Sequence, residues 1–156
     1  MSVLAAIRPD SVNLALFVHV LGAMLLVGTL FTAGWATLQS RRGGEAAAGL
    51  TRFGLKAVIV GVFPAYLLMR IGAQWTESQE DLPKEVEDQT WLGIGYITAD
   101  LGALLVIASL VLSVIGLRKL KAGEAGAGQA RAISIISIIL LVAYVVAVWA
   151  MSTKPE

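Results

Sequence analysis

The chain has 156 residues, of which 57% are hydrophobic and 15% charged, with a net charge of +1 and a mean hydropathy of +0.78. Soluble domains of this size carry about a quarter charged residues, so this composition indicates a membrane protein. The chain contains no cysteine, which excludes disulfides, thiolate metal sites and cysteine nucleophiles.

Four segments have the roughly 20 apolar residues that a transmembrane helix needs. They cover about residues 12–39, 53–75, 91–118 and 132–152. The first apolar run is about twice as long as the core of a cleaved signal peptide, so we expect it to remain as a helix. Short connections join the four segments, which predicts an all-α fold: one transmembrane four-helix bundle over residues 1–156. Pro64 should kink the second helix.

Basic residues are distributed unevenly between the two sides of this bundle, and lysine and arginine favour the cytoplasmic side. Eight of the 12 flank the first and third connections, against four on the other side. These eight are Arg41, Arg42, Arg52, Lys56, Arg118, Lys119, Lys121 and Arg131. Both termini are therefore predicted outside, which implies a multi-pass protein of a bacterial cytoplasmic membrane.

The connections differ in composition. Residues 43–49 and 122–130 are rich in glycine and alanine, which predicts flexible cytoplasmic turns. Residues 76–90 hold six acidic residues and Lys84, which predicts a solvated external loop. This loop could also attract cations or an external partner.

Polar residues interrupt the apolar helices at a few positions. His19 is the only histidine, and helical spacing places it on one stripe with Ala15, Gly22, Leu26, Thr29 and Ala33. Because small residues let membrane helices approach closely, this stripe should face the bundle. Asp100 lies about nine residues into the third helix, at a depth where a carboxylate needs a partner or a proton. Its own face holds Gly93, Tyr96 and Ala103, whereas a longer small-residue stripe on the opposite face predicts the tight interface: Gly95, Thr98, Gly102, Ser109, Ser113 and Gly116.

Helix direction combined with depth places polar groups from all four helices in the outer half of the membrane. The predicted cluster consists of His19, Tyr66, Arg70, Tyr96, Asp100 and Tyr144. An Asp–Arg or Asp–His pair would ease the cost of burying Asp100. Two interpretations stay open: a binding site, or hydrogen bonds that only fix helix packing. For Arg70 alone, a side chain that reaches the lipid headgroups is a further alternative.

Familiar catalytic patterns are missing from the sequence. It has no phosphate-binding or dinucleotide-binding glycine pattern, no His-x-x-x-His spacing and no recognisable serine triad around His19. A single histidine without cysteine argues against a zinc site. The basic connections lack interleaved aromatic residues, so nucleic acid is not an expected partner. We therefore predict no catalytic residues and no enzymatic activity.

Two stretches resemble known families. HVLGAMLLVG (residues 19–28) and WLGIGYITADLGALL (residues 91–105) resemble an uncharacterised family of bacterial four-helix integral membrane proteins of actinobacterial type. The first stretch is also distantly similar to copper-resistance D-type membrane proteins and to the haem-binding membrane protoporphyrinogen oxidase. That similarity implies that His19 could ligate haem or a metal. The tryptophan that those proteins carry near the glycine step is replaced here by Leu26 and Val27.

Haem ligation by this chain would need a second axial ligand. Met24, Met69 or Met151 could supply it, or a homodimer could supply a second His19. The sequence thus leaves three hypotheses: a non-enzymatic membrane protein that uses the polar cluster as a binding or structural site, a b-type haem protein using His19, and a small proton-coupled transporter using Asp100. The lipid bilayer is the expected partner, and a second copy or another membrane protein stays open.

Overall fold

A computed structural model describes residues 10–79 and 90–153. This part of the chain forms four long helices and contains no strand. They are α1 (Asp10–Ser40), α2 (Ala47–Gln79), α3 (Thr90–Lys121) and α4 (Ala127–Thr153). Each contains a stretch long and apolar enough to cross a membrane. The predicted all-helical chain with four membrane-length helices is therefore confirmed.

Two helices, α2 and α4, extend well beyond the bounds expected from the sequence. α2 begins at Ala47 and α4 at Ala127, so parts of both Gly/Ala-rich connections are helical. Alanine is the strongest helix former, which explains these early starts. α2 also continues to Gln79, which brings residues 76–79 of the expected acidic loop into the helix. The rest of that loop lies outside the described residues.

Glycine ends the helices at the basic connections. After α3, Gly123 adopts a φ of 79°, and the amide of Glu124 donates to the carbonyl of Lys119 at 2.9 Å. This left-handed glycine turn satisfies carbonyl groups that the helix end leaves free. We call this end of the bundle, with residues 41–46 and 122–126, the basic end. The end that holds Asp10 and Thr153 is the terminal end.

The irregularity expected at Pro64 takes the form of a π-helical turn over Val58–Val62. The amide of Phe63 donates to the carbonyl of Val58, five residues earlier, instead of four. Proline has no amide hydrogen to offer the carbonyl four residues before it, so a wider turn next to Pro64 accommodates the missing bond.

Helices α1 and α2 pack backbone to backbone along their length. A Cβ atom on Gly22 would contact the backbone of Met69, and one on Gly72 would contact the backbone of His19. Nearer the basic end, a Cβ on Gly54 would lie 3.2 Å from the carbonyl oxygen of Ala33. Glycine is needed at these positions because any side chain would push the two helices apart.

The small-residue stripe of α3 lies in tight helix contacts, as the sequence predicts, and these contacts involve both α2 and α4. A Cβ on Gly116 would lie 2.7 Å from the Cδ1 of Leu55 in α2. Gly102 lies against Tyr144 and Gly116 against Gln129, while Ser113 is fully buried. α4 also packs on α1, where a Cβ on Gly34 would lie 3.0 Å from the Cβ of Ser137.

The contacts between α2 and α3 are sparser than those of the other neighbouring helices. Among the described residues, the backbones of α1 and α3 do not approach each other, and neither do those of α4 and the Phe63–Gln79 half of α2.

Candidate functional site

The α2–α3 interface of the terminal half is bridged by polar groups. Tyr66, Arg70, Ala73 and Glu77 form one stripe of α2, at spacings that place them on a single helix face. The three polar members each bond to α3. The Tyr66 hydroxyl donates to the carbonyl of Ala99 at 3.1 Å. Arg70 and Glu77 make the other two bridges.

Arg70 forms an ion pair with Asp100. Its Nη2 donates to the Oδ1 of Asp100 at 2.9 Å, and the two side chains are 28% and 68% exposed. Of the two partners expected for Asp100, arginine or histidine, the structure shows arginine. Pairs this exposed contribute little to stability, about 0–1 kcal/mol. The guanidinium keeps further donors, and the carboxylate keeps further acceptor capacity, for another group.

Helix geometry gives the depth of this pair. Arg70 lies 18 positions from Arg52, and Asp100 lies 18 positions from Arg118. With 1.5 Å per residue, both lie about 27 Å from the basic residues, in a hydrocarbon layer about 30 Å thick. The ion pair therefore lies near the edge of the bilayer at the terminal end.

Glu77 was missed by the sequence analysis. The hydroxyl of Tyr96 donates to the Oε1 of Glu77 at 2.8 Å, one helical turn above Asp100 on α3. The sequence assigned Glu77 to the acidic loop, because the hydropathy of α2 falls after Trp75. The spacing of Glu77, seven residues after Arg70, could have placed it on the same helix face.

Tyr144 lies deeper and has a buried hydroxyl without a hydrogen-bond partner among the described residues. The side chain is 6% exposed, and its hydroxyl lies against Gly102 of α3. It belongs to the same buried core cluster as Tyr66. A buried hydroxyl without a partner costs about 1–3 kcal/mol, so each such group in a native structure needs an explanation.

His19 lies apart from this group, at the interface of α1 and α2. Its Nδ1 is 2.9 Å from the carbonyl oxygen of Met69. A carbonyl only accepts, so Nδ1 carries the hydrogen and Nε2 is left for another partner. Because the backbones of α1 and α3 do not approach each other in the described chain, this histidine is not paired with Asp100.

The α1–α2 interface beside His19 has no space for a haem. The backbones of α1 and α2 touch beside the imidazole at Gly22 and Gly72, which leaves no room for a porphyrin between them. Met69 is buried in the core, and Met24 is 69% exposed. The described residues also contain no group of three or more histidine, cysteine, aspartate or glutamate side chains able to hold a metal ion.

We call the set formed by Tyr66, Arg70, Asp100 and Tyr144 the polar cleft, and Glu77 and Tyr96 its rim. Four membrane-length helices, with polar side chains that bridge α2 and α3, define the class of protein. No family model, curated protein or solved structure matches the chain. The cleft itself is therefore the basis for a functional assignment.

Proposed function

We propose that this chain is a non-enzymatic, multi-pass protein of a bacterial cytoplasmic membrane that binds a polar ligand in the cleft between α2 and α3. The observation that carries this proposal is the hydroxyl of Tyr144, which is buried without a hydrogen-bond partner among the described residues, in the same core cluster as Tyr66. A ligand atom that bonds to this hydroxyl would remove the cost of burying it. The exposed ion pair above it supplies charged groups at the entrance.

The alternative is a polar cluster that only fixes helix packing, and it explains fewer of the observations than ligand binding does. The Tyr66 bridge and the Arg70–Asp100 pair do join α2 to α3. A purely structural role gives no reason to bury the Tyr144 hydroxyl, because phenylalanine would fill the same space without that cost. Proton transport through Asp100 is also less favoured, since its carboxylate is exposed and paired rather than buried at mid-membrane.

The proposal includes an orientation, with both termini outside. It rests on the eight basic residues of the basic end. The absence of cysteine makes single-cysteine labelling direct. In intact spheroplasts, Thr153→Cys should react with a membrane-impermeant thiol reagent, and Glu45→Cys should react only after the membrane is opened. The reverse pattern would place the cleft on the cytoplasmic side.

Access to the cleft can be tested at two adjacent positions of α3. Ala103 lies one turn below Asp100, shares the helix face of Asp100 and Tyr96, whose side chains bond to α2, and is half-buried. Leu104 is 66% exposed at the same depth, on the lipid side. They lie 15 and 14 positions from Arg118. At 1.5 Å per residue, both are about 7 to 9 Å inside the terminal edge of a hydrocarbon layer about 30 Å thick.

We expect a charged thiol reagent to modify Ala103→Cys at least about tenfold faster than Leu104→Cys in phosphatidylcholine vesicles, because thiolates form and react in water rather than in lipid. Denatured samples of both variants should react equally, which controls for intrinsic reactivity. Equal slow reaction of both variants in the folded protein would show a closed, packed interface and contradict the proposal.

A further inference from the structure

The charges around the cleft define the kind of ligand that fits it. The cleft and its rim contain two carboxylates, Glu77 and Asp100, and one guanidinium, Arg70. Their formal sum is −1, so the entrance disfavours an anion as a whole. It offers acceptor oxygens to an ammonium group and N–H donors to an acidic group. A ligand that carries both groups satisfies both sides.

The depth of the ion pair indicates where this ligand comes from. Arg70 and Asp100 lie about 27 Å from the basic residues at the other end, which is the level where phospholipid headgroups begin. The Asp100 side chain is 68% exposed, so a neighbouring lipid can reach it from the side. Lipids surround the protein at high local concentration, unlike dissolved zwitterions.

We propose that the cleft binds the headgroup of a zwitterionic aminophospholipid, of the phosphatidylethanolamine type. This inference rests on the proposed function, because it names the ligand of the same cleft. The ammonium group donates to Asp100, and the phosphate accepts from the free donors of Arg70.

The primary amine and the zero net charge of phosphatidylethanolamine distinguish it from other phospholipids. Phosphatidylcholine has a phosphate but no N–H donor for Asp100. Phosphatidylglycerol has a phosphate but no ammonium, and its net negative charge meets the two carboxylates of the entrance. Electrostatic complementarity therefore predicts a preference for ethanolamine over both.

The test is native mass spectrometry of the full chain in detergent, with equal amounts of the three lipids carrying the same acyl chains. We expect at least about fivefold more bound phosphatidylethanolamine than either competitor, which is about 1 kcal/mol of discrimination. Asp100→Asn should remove this preference. Glu45→Gln, which changes a carboxylate at the basic end, should retain it.

Two comparisons complete the design. Arg70→Lys keeps a positive charge and should retain the preference more fully than Arg70→Gln, which checks that a loss is not caused by misfolding. Dissolved glycerophosphoethanolamine, added as a competitor, separates the two sources of this chemistry. Displacement of the lipid would identify a soluble zwitterion as a ligand, and no displacement would identify the membrane lipid.

Equal binding of the three lipids, or a preference that survives Asp100→Asn, would overturn the inference. The labelling of Ala103→Cys distinguishes this failure from failure of the proposed function. Rapid labelling without lipid preference leaves a water-accessible cleft for another ligand. Slow labelling of that variant in phosphatidylcholine vesicles would show that water does not reach this interface, and the proposed function would fail as well.

Discussion

Replacement of Gly72 by alanine should separate α1 from α2 and destabilise the protein. The added methyl carbon would lie 2.7 Å from the Cα of His19, closer than such atoms approach in real proteins. Because the obstacle is backbone, no side-chain rotation can relieve the contact. Forcing an extra methyl group into a packed interface costs about 1–3 kcal/mol.

The same separation would lengthen the bond between the His19 imidazole and the Met69 carbonyl, now 2.9 Å. Its loss adds about 0.5–1.5 kcal/mol. We therefore expect Gly72→Ala to lower the free energy of unfolding by about 2–4 kcal/mol, since the steric cost and the lost bond add. Unfolding by dodecyl sulfate titration in mixed micelles, followed by circular dichroism, measures this change.

Gly28 provides the matched control. It also lies in the middle of a membrane helix, but a Cβ there would meet nothing within 4 Å. Gly28→Ala should leave the free energy of unfolding unchanged or raise it by up to about 1 kcal/mol, because alanine is the better helix former. If Gly72→Ala cost no more than Gly28→Ala, the α1–α2 backbone contact would be refuted.

Three further predictions concern the polar groups. Tyr144→Phe should leave the delipidated protein equally stable or up to about 1 kcal/mol more stable, while Tyr66→Phe, which loses its bond to α3, should cost about 1 kcal/mol; the same titration compares them, and a reversed order would contradict the assignment. A double-mutant cycle with Arg70→Gln and Asp100→Asn should give a coupling energy below about 1 kcal/mol, since the pair is exposed. Protein purified from cells fed a haem precursor should show no Soret band; a band lost in His19→Ala would instead show haem binding.

The sequence predicted the helices better than their contacts, for physical reasons. A membrane-length apolar run is a local property, so the four helices and the small-residue face of α3 could be predicted from spacing alone. Which helices are neighbours is not a local property. The sequence placed His19 beside Asp100 by depth, but the backbones of their helices do not approach each other in the described chain.

Helix length was the second source of difference. Glu77 belongs to the rim because α2 continues to Gln79, and hydropathy falls before the helix ends. Charged residues can extend a helix beyond the hydrocarbon layer, where water satisfies them. Polar positions near a predicted helix end should therefore be tested for helical spacing before they are assigned to a loop.

Binding of an aminophospholipid headgroup between α2 and α3 can be measured in a bilayer. The most direct measurement is the rate at which a charged thiol reagent modifies Ala103→Cys in nanodiscs of different lipid composition. We expect Ala103→Cys to react at least about fivefold more slowly in phosphatidylethanolamine than in phosphatidylcholine, because the bound headgroup shields the thiol. Leu104→Cys should react slowly in both lipids. The same rate for Ala103→Cys in both lipids would contradict headgroup binding.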